Sequence, residues 1–121
     1  MAKILIIEDD MEIRTLVSEF LLILGHEIVE AIDGVDGLEK VQNEEPELIF
    51  CDLMMPKLDG YGFLEQHKCS DYAHIPVILM TAMINLDYEL INTEFNVKGY
   101  VRKPFTFEEL KQVIESNIFS V

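Results

Sequence analysis

The chain has 121 residues, half of them apolar, which suits one globular domain and excludes a disordered segment. It carries 23 Asp and Glu against 9 Lys and Arg, and its formal net charge of -14 repels phosphate backbones and anionic lipid, so we expect no direct nucleic-acid or membrane binding. The sequence has neither an apolar run long enough to span a bilayer nor a secretory leader, which favours a cytoplasmic protein.

In the first half of the chain, short apolar runs alternate with segments of helical periodicity. The runs that predict strands occupy residues 3–7, 27–30 and 48–51. A helix is predicted between the first two strands, with Asp10 as its N-cap and Gly25 as its C-terminal stop. The turn at Asp33-Gly34 precedes a weaker helix. The third strand has no polar alternation, which is typical of a strand buried on both faces of a parallel sheet, and it stops at Asp52.

The second half of the chain continues this alternation, with two further strands predicted at residues 75–80 and 99–102. Between the third and fourth strands lies a third helix, with Phe63, Leu64 and His67 on one side. A fourth, poorly patterned helix is predicted over residues 85–95, with Asn96 as a left-handed stop. Its inward side is formed by Leu86, Leu90, Ile91 and Phe95. The last helix starts at a capping box of Thr106 and Glu109, and its apolar stripe is Leu110, Val113, Ile114 and Ile118.

Five strand–helix units in strict alternation predict an α/β fold. Right-handed crossovers place the five strands in one parallel sheet, with five helices on its two faces. The expected strand order is 2-1-3-4-5, the flavodoxin-like doubly wound arrangement, in which the first and third strands are neighbours. We interpret residues 1–121 as a single domain.

Polar groups follow four of the predicted strands: Glu8 and Asp9, Asp52, Thr81, and Lys103. Each alone has an ordinary explanation, because acids after a strand usually cap a helix and Asp52 is a common turn residue. Together, however, the three carboxylates need a cation or raised pKa values, and their oxygens suit Mg²⁺. A carboxylate beside that ion can attack phosphorus and form an aspartyl-phosphate. Lys103 and the Thr81 hydroxyl would then compensate the charge of the phosphoryl oxygens.

Four motifs together resemble the response-regulator receiver domain over nearly the whole chain. They occupy residues 4–10, 52–60, 80–82 and 99–105. The resemblance implies that Asp52 accepts a phosphoryl group from a histidine kinase or a histidine phosphotransfer protein. It also implies that Asp9 binds Mg²⁺ directly and Glu8 through water, with Asp52 and the Met54 carbonyl completing the protein ligands.

The same resemblance implies a path by which the signal leaves the site. Thr81 and Tyr100 match the pair that relays the phosphorylated state to the surface of the fourth helix, fifth strand and fifth helix, where an unidentified output partner binds. Lys103-Pro104 resembles a motif whose peptide bond is cis in the family. The expected role is that of a phosphoacceptor switch, and not of an enzyme acting on a separate substrate.

Some residues depart from the family pattern or stand outside it. Residues 96–99 lack the paired acids common in receivers that dimerise ahead of winged-helix DNA-binding domains, which argues against such a dimer. Met54 and Met83 hold no water by hydrogen bonds, so we expect them to prolong the phosphorylated state. Five further side chains are expected to be structural: three histidines near the surface and two free thiols acting as small hydrophobes, namely His26, His67, His74, Cys51 and Cys69.

Three other functions are alternatives to the phosphoacceptor switch. A haloacid-dehalogenase-type phosphatase needs a second aspartate two residues after the nucleophile, where this chain has Met54. A flavodoxin needs a hydroxyl- or glycine-rich phosphate loop after the first strand, where this chain has three acids. A pseudo-receiver recognises a partner without phosphorylation and usually lacks the aspartate, threonine or lysine, all of which are present here. The sequence therefore favours the switch.

Overall fold

A computed structural model of the chain describes residues 2–55, 57–82 and 86–118, apart from the side chain of Ile118. In these residues five strands alternate with five helices: β1 (Lys3–Ile7), α1 (Met11–Ile23), β2 (Glu27–Ala31), α2 (Gly34–Glu44), β3 (Leu48–Asp52), α3 (Gly60–Lys68), β4 (Val77–Thr81), α4 (Tyr88–Glu94), β5 (Val97–Arg102) and α5 (Phe107–Ile118). The strands form one parallel sheet in the order β2-β1-β3-β4-β5. The predicted doubly wound fold is thus confirmed. No helix of the described residues is both long and apolar enough to cross a bilayer.

The core lies on both faces of the sheet, because the central strands are apolar without alternation. Every apolar residue of β1, β3 and β4 is fully buried. Alternate side chains of these strands face opposite ways and form two clusters. One cluster includes residues of α1 and α5, such as Val17 and Ile114, and the other includes residues of α2, α3 and α4, such as Val41, Phe63 and Ile91. Two helices therefore pack on one face of the sheet and three on the other.

Each helix begins at a side chain that accepts from the otherwise unpaired N–H groups of the first turn. These residues are Asp10, Asp33, Asp59, Asp87 and Thr106. The predicted capping box is present, since Thr106 and Glu109 hydrogen-bond reciprocally at 3.1 Å. Asp33-Gly34, predicted as a turn, is instead the cap and first residue of α2.

The first turn of α2 packs directly on the loop between β3 and α3. The Gly34 N–H donates to the Leu58 carbonyl at 3.2 Å, and a Cβ at residue 34 would overlap that carbonyl. At the end of the same loop, a Cβ at Gly60 would lie 2.5 Å from the Leu53 Cα. This close backbone packing holds the loop that directly follows Asp52.

The fourth helix differs from its prediction. It covers Tyr88–Glu94 and not residues 85–95, and residue 85 lies outside the described residues. Leu90 is 57% exposed, so it does not share the inward side with Ile91. Asn96 was wrongly predicted as a left-handed stop: its side chain donates to the carbonyls of the turn before β4, and its own carbonyl accepts from Val77 N–H at 2.9 Å. These bonds hold Asn96 between α4 and β5, directly before the first residue of β5.

Two of the three histidines, His26 and His67, were wrongly predicted to lie near the surface. His67 Nε2 donates to the Ile75 carbonyl at 2.9 Å, and its ring stacks on Phe63. Burial lowers the pKa of His67, which keeps the imidazole neutral. Within the described residues its Nδ1 has no hydrogen-bond partner. Nδ1 of His26 accepts from the Ala2 N–H at 3.2 Å, which ties the residue before β1 to the residue before β2.

The two thiols differ from each other. Cys51 is fully buried in β3, as predicted, and burial raises its pKa well above the ordinary value. Cys69 caps the C-terminus of α3 and is a free thiol, as predicted, but it is exposed, so its prediction as a small hydrophobe was wrong.

Candidate functional site

Four strands end at one edge of the sheet and bring their polar residues to the same place. Asp52 is the last residue of β3 and Thr81 the last of β4, while Glu8 and Lys103 directly follow β1 and β5. The strands are parallel, so all four ends lie at the carboxyl edge. Glu8, Asp52 and Thr81 are buried there, which is unusual for polar side chains and marks this edge as the candidate site.

Three carboxylates form the centre of the site. Glu8, Asp9 and Asp52 each place a carboxylate oxygen so that all three oxygens lie within 4.8 Å of one another. Glu8 and Asp52 are buried and Asp9 is exposed, so the cluster opens to solvent on the Asp9 side. The Met54 N–H donates to Asp52 Oδ1 at 3.2 Å, which places the Met54 backbone beside the cluster. Hard oxygen donors that are partly open to water fit Mg²⁺, which keeps several of its waters.

Lys103 is the cation that reaches this cluster. Its Nζ lies 2.6 Å from Glu8 Oε1 and 3.1 Å from Asp52 Oδ2. The Lys103-Pro104 peptide bond is cis, as the resemblance implied. When all four groups are ionised, three carboxylates face one ammonium, so two negative charges are left uncompensated within the cluster.

The pKa values of the buried groups reflect this imbalance. Burial raises the pKa of Glu8 to about 7; repulsion from Asp52 acts in the same direction, while the hydrogen bond from Lys103 opposes it. Burial alone would lower the pKa of Lys103, but the hydrogen bond to Glu8 and the charges of both acids outweigh it, so the pKa of Lys103 is raised. Lys103 therefore stays cationic, and the site favours an additional cation.

Thr81 and Tyr100 lie at different depths. Thr81 is buried at the end of β4, and its carbonyl accepts from the Lys103 N–H at 2.8 Å, which ties the ends of β4 and β5 together. Tyr100 is 47% exposed, with its ring centroid 4.9 Å from that of Tyr88 in α4. The structure thus places Thr81 inside the site and Tyr100 on the surface between α4 and β5.

The remaining acid of the run and one basic residue complete the surroundings. Asp10 is the N-cap of α1, as predicted, and its own N–H donates to Glu8 Oε2 at 3.2 Å. Sequence reasoning missed Arg14, whose Nη1 donates to the Glu8 carbonyl at 2.8 Å. The available signal was that Arg14 is the only basic residue among residues 8–19. Met83, predicted to act beside Met54, lies outside the described residues.

Comparison with known proteins places the chain among signalling proteins. Residues 4–115 match the family described as "Response regulator receiver domain". The "Probable transcriptional regulator ycf27" of Cyanophora paradoxa is 40% identical over 115 residues, which are 94% of this chain and 47% of that protein. The "DNA-binding dual master transcriptional regulator RpaA" of Synechocystis is 35% identical over 111 residues, 91% of this chain and 46% of that protein. The chain thus spans about half the length of these curated relatives.

Solved structures agree with the sequence comparison. Chemotaxis protein CheY4 of Vibrio cholerae superposes with a TM-score of 0.88 at 28% identity, covering 98% of this chain and 99% of that chain. NtrX from Brucella abortus has a TM-score of 0.88 at 27% identity, covering 98% of this chain and 27% of that chain. The match to CheY4 therefore covers nearly the whole of both chains.

Proposed function

The chain belongs to the response regulator receiver domain family, and from this membership we propose that it is a phosphorylation-dependent switch with Asp52 as its phosphoacceptor. Receiver domains of two-component response regulators are signalling phosphoacceptors. The observation that carries the choice of Asp52 is its position: it is buried at the end of a central strand, with a lysine ammonium 3.1 Å from Oδ2 and two other carboxylates beside it.

We propose that the phosphodonor is a phosphohistidine of a histidine kinase or of a histidine phosphotransfer protein. An Asp52 oxygen attacks the phosphorus, so that an O–P bond forms while the P–N bond breaks. The imidazole nitrogen leaves with the bonding electrons and takes up a proton. Lys103 stays beside the acceptor and neutralises charge on the transferred group, and the Thr81 hydroxyl donates to a phosphoryl oxygen.

Mg²⁺ is the proposed cofactor, held by Asp52, by Asp9 directly, by Glu8 through water, and by the Met54 carbonyl. The three clustered carboxylates support this choice, because they leave negative charge that Lys103 alone does not compensate. The bound ion would neutralise that charge and draw electron density from the phosphoryl oxygens.

The proposed output surface is formed by α4, β5 and α5. Phosphorylation would draw Thr81 toward the phosphoryl group and let Tyr100 turn inward from its exposed position against Tyr88. The surface offered to an output partner would then differ between the two states. We propose no direct contact of this acidic domain with nucleic acid or membrane.

Phosphorylation followed by intact mass tests this function. The parent protein, incubated with Mg²⁺ and acetyl phosphate, should gain the mass of one phosphate, and Asp52→Asn should gain none. Asp10→Asn is the matched control, because it removes an acid of the same run while asparagine still caps α1. Labelling that persists in Asp52→Asn would refute the assignment, and a parent that takes up no phosphate from acetyl phosphate would favour a pseudo-receiver.

A further inference from the structure

Arg14 joins the acidic loop after β1 to two other elements. It stands in the first turn of α1, and its Nη1 donates to the Glu8 carbonyl at 2.8 Å. Its Nε donates to Glu30 Oε1 in β2 at 2.9 Å, and the second Glu30 oxygen accepts from Ser18 Oγ at 3.1 Å. The Arg14 side chain is only 14% exposed, whereas that of Glu30 is 45% exposed, so the pair is packed at the Arg14 end and open to solvent at the Glu30 end.

The carbonyl held by Arg14 belongs to the peptide group that joins Glu8 to Asp9. A peptide group is planar, so fixing its oxygen also fixes the direction of the Asp9 nitrogen. The orientation of this plane sets where the Glu8 and Asp9 side chains point relative to each other. Glu8 is also held on its other side, where its N–H donates to the Ala31 carbonyl at 3.1 Å.

Glu30 and Ser18 orient the guanidinium for this task. A guanidinium donates in a rigid planar fork, so that fixing Nε against Glu30 also directs Nη1. Ser18 is buried in α1, and it holds the Glu30 carboxylate in place. The three side chains therefore form a connected brace from α1 through β2 to the acidic loop.

We propose that Arg14 is a positioning residue that sets the Glu8–Asp9 peptide plane for cation binding, with Glu30 and Ser18 as its supports. The inference rests on the proposed Mg²⁺ site. Outer groups that orient metal ligands typically change metal affinity by 10- to 100-fold when they are removed. Arg14 acts through a backbone group and touches neither the ion nor the phosphoryl group.

Charge and geometry predict opposite results for Arg14. If Arg14 acted only as a nearby positive charge, removing it would strengthen the binding of a cation. If it positions the acidic loop, removing it weakens that binding. The sign of the change in the Mg²⁺ dissociation constant therefore separates the two roles.

The experiment is calorimetric titration of the metal-free protein with Mg²⁺ at low temperature. Arg14→Met should raise the dissociation constant by roughly 10-fold or more, and Arg14→Lys should also raise it, because an ammonium keeps the charge but not the fork. Lys40→Met is the matched control: Lys40 bonds the Glu30 carbonyl and Asp36, so its loss removes a cation without touching the loop. The Mg²⁺ dissociation constant of Lys40→Met should not rise above that of the parent.

Hydrogen exchange in the metal-free state gives a second readout. The Asp10 N–H, which donates to Glu8 Oε2, should exchange faster in Arg14→Met, while core amides such as that of Ile6 keep their protection. A lower melting temperature with an unchanged dissociation constant and an unchanged Asp10 rate would reduce Arg14 to a structural role and overturn the inference. A tighter dissociation constant would overturn it as well.

Failure of the proposed metal site has a different signature. A parent protein that gives no Mg²⁺ signal would refute that site, whereas the inference fails when the parent binds and the variants bind equally well. If Arg14→Met does not fold, the pair Glu30→Gln and Ser18→Ala tests the same brace through milder changes. Their expected effect is a smaller rise in the dissociation constant, and no rise in either would overturn the proposal.

Discussion

Two lysines, at opposite edges of the sheet, each lie between two acids. At the amino edge, Lys3 Nζ is 3.2 Å from Glu44 and 3.5 Å from Glu27, with side chains 30–55% exposed. At the carboxyl edge, Lys103 Nζ is 2.6 Å from Glu8 and 3.1 Å from Asp52, with side chains no more than 15% exposed. We call these groups the Lys3 cluster and the Lys103 cluster.

The difference between the clusters lies in burial and in the third acid. Water screens the Lys3 cluster, and exposed ion pairs of this kind contribute little to stability. In the Lys103 cluster the lysine and its two bonded acids are mostly buried, and the exposed Asp9 adds a further negative charge. Because burying charges costs free energy, a mostly buried cluster with two uncompensated negative charges indicates a functional site more strongly than an exposed cluster with one.

The largest difference between the two clusters is expected when each lysine is replaced in turn. Lys103→Met should slow phosphorylation by acetyl phosphate by roughly 100-fold, because a preorganised charge is lost at the reacting group. Lys3→Met should leave the rate unchanged. The measurement is the rate of phosphate mass addition in saturating Mg²⁺, and equal rates in the two variants would remove Lys103 from the mechanism.

Mg²⁺ should stabilise the native protein by binding at the Lys103 cluster and not at the Lys3 cluster. At a concentration 100 times its dissociation constant, a ligand that prefers the native state adds about 2.7 kcal/mol to the free energy of unfolding. Asp9→Asn should lose this gain, and should exceed the parent in stability without metal because one repelling charge is gone. Glu44→Gln should keep the gain. Urea unfolding with and without Mg²⁺ measures both effects, and a gain retained by Asp9→Asn would exclude it as a ligand.

His67 shows what burial does to a titratable group outside either cluster, since it is buried like Asp52 but neutral. The pKa of His67 in the folded protein lies below the ordinary 6.5. Between these two pKa values the unfolded chain therefore binds a proton at His67 that the native protein does not bind. Stability should therefore be fully present above pH 6.5 and fall as the pH falls toward the folded pKa. His67→Leu should cost about 1–2 kcal/mol at pH 8 through its lost hydrogen bond, and this deficit should narrow at pH 5. A deficit relative to the parent that stays constant from pH 8 to pH 5 would contradict this.

The smallest effect is expected at the Lys3 cluster itself. Lys3→Met and Glu44→Gln should each change the melting temperature less than the variants of the Lys103 cluster and of His67 do. In 1 M salt even this small change should disappear, since the screening length is then about 3 Å. A large, salt-resistant change would show that the two clusters are more alike than their exposure indicates.

The fold and the four strand ends could be predicted because they depend on local patterns. The continuous apolar run of residues 48–51 and the caps at Asp10 and Thr106 are signals contained in a few neighbouring residues. The burial of His67 depends on the Ile75 carbonyl in another segment, and the sequence gives no sign of that contact. Arg14 was missed for the same reason, because its partner Glu30 belongs to a different element.

The shortest helix shows another limit of pattern reading. Only Ile91 is buried in α4, so a single inward position had to fix the orientation of seven residues. Helical spacing put Leu90 beside Ile91, yet Leu90 points to solvent. A stripe of several buried residues, as in α5 with Leu110 and Ile114, removes that ambiguity.

Because one thiol is exposed and the other is buried, the two cysteines should react with a thiol reagent at different rates. A thiol-reactive dye should label Cys69 at once, since it is exposed at the end of α3. Cys51 lies fully buried one residue before Asp52, so it should react only when β3 is uncovered. The amplitude of the fast phase, from Cys69, then gives the protein concentration. The rate of the slow phase, from Cys51, gives the rate at which the sheet opens next to Asp52, without any engineered label. Anything that binds at the carboxyl edge should lengthen the slow phase and leave the fast phase alone.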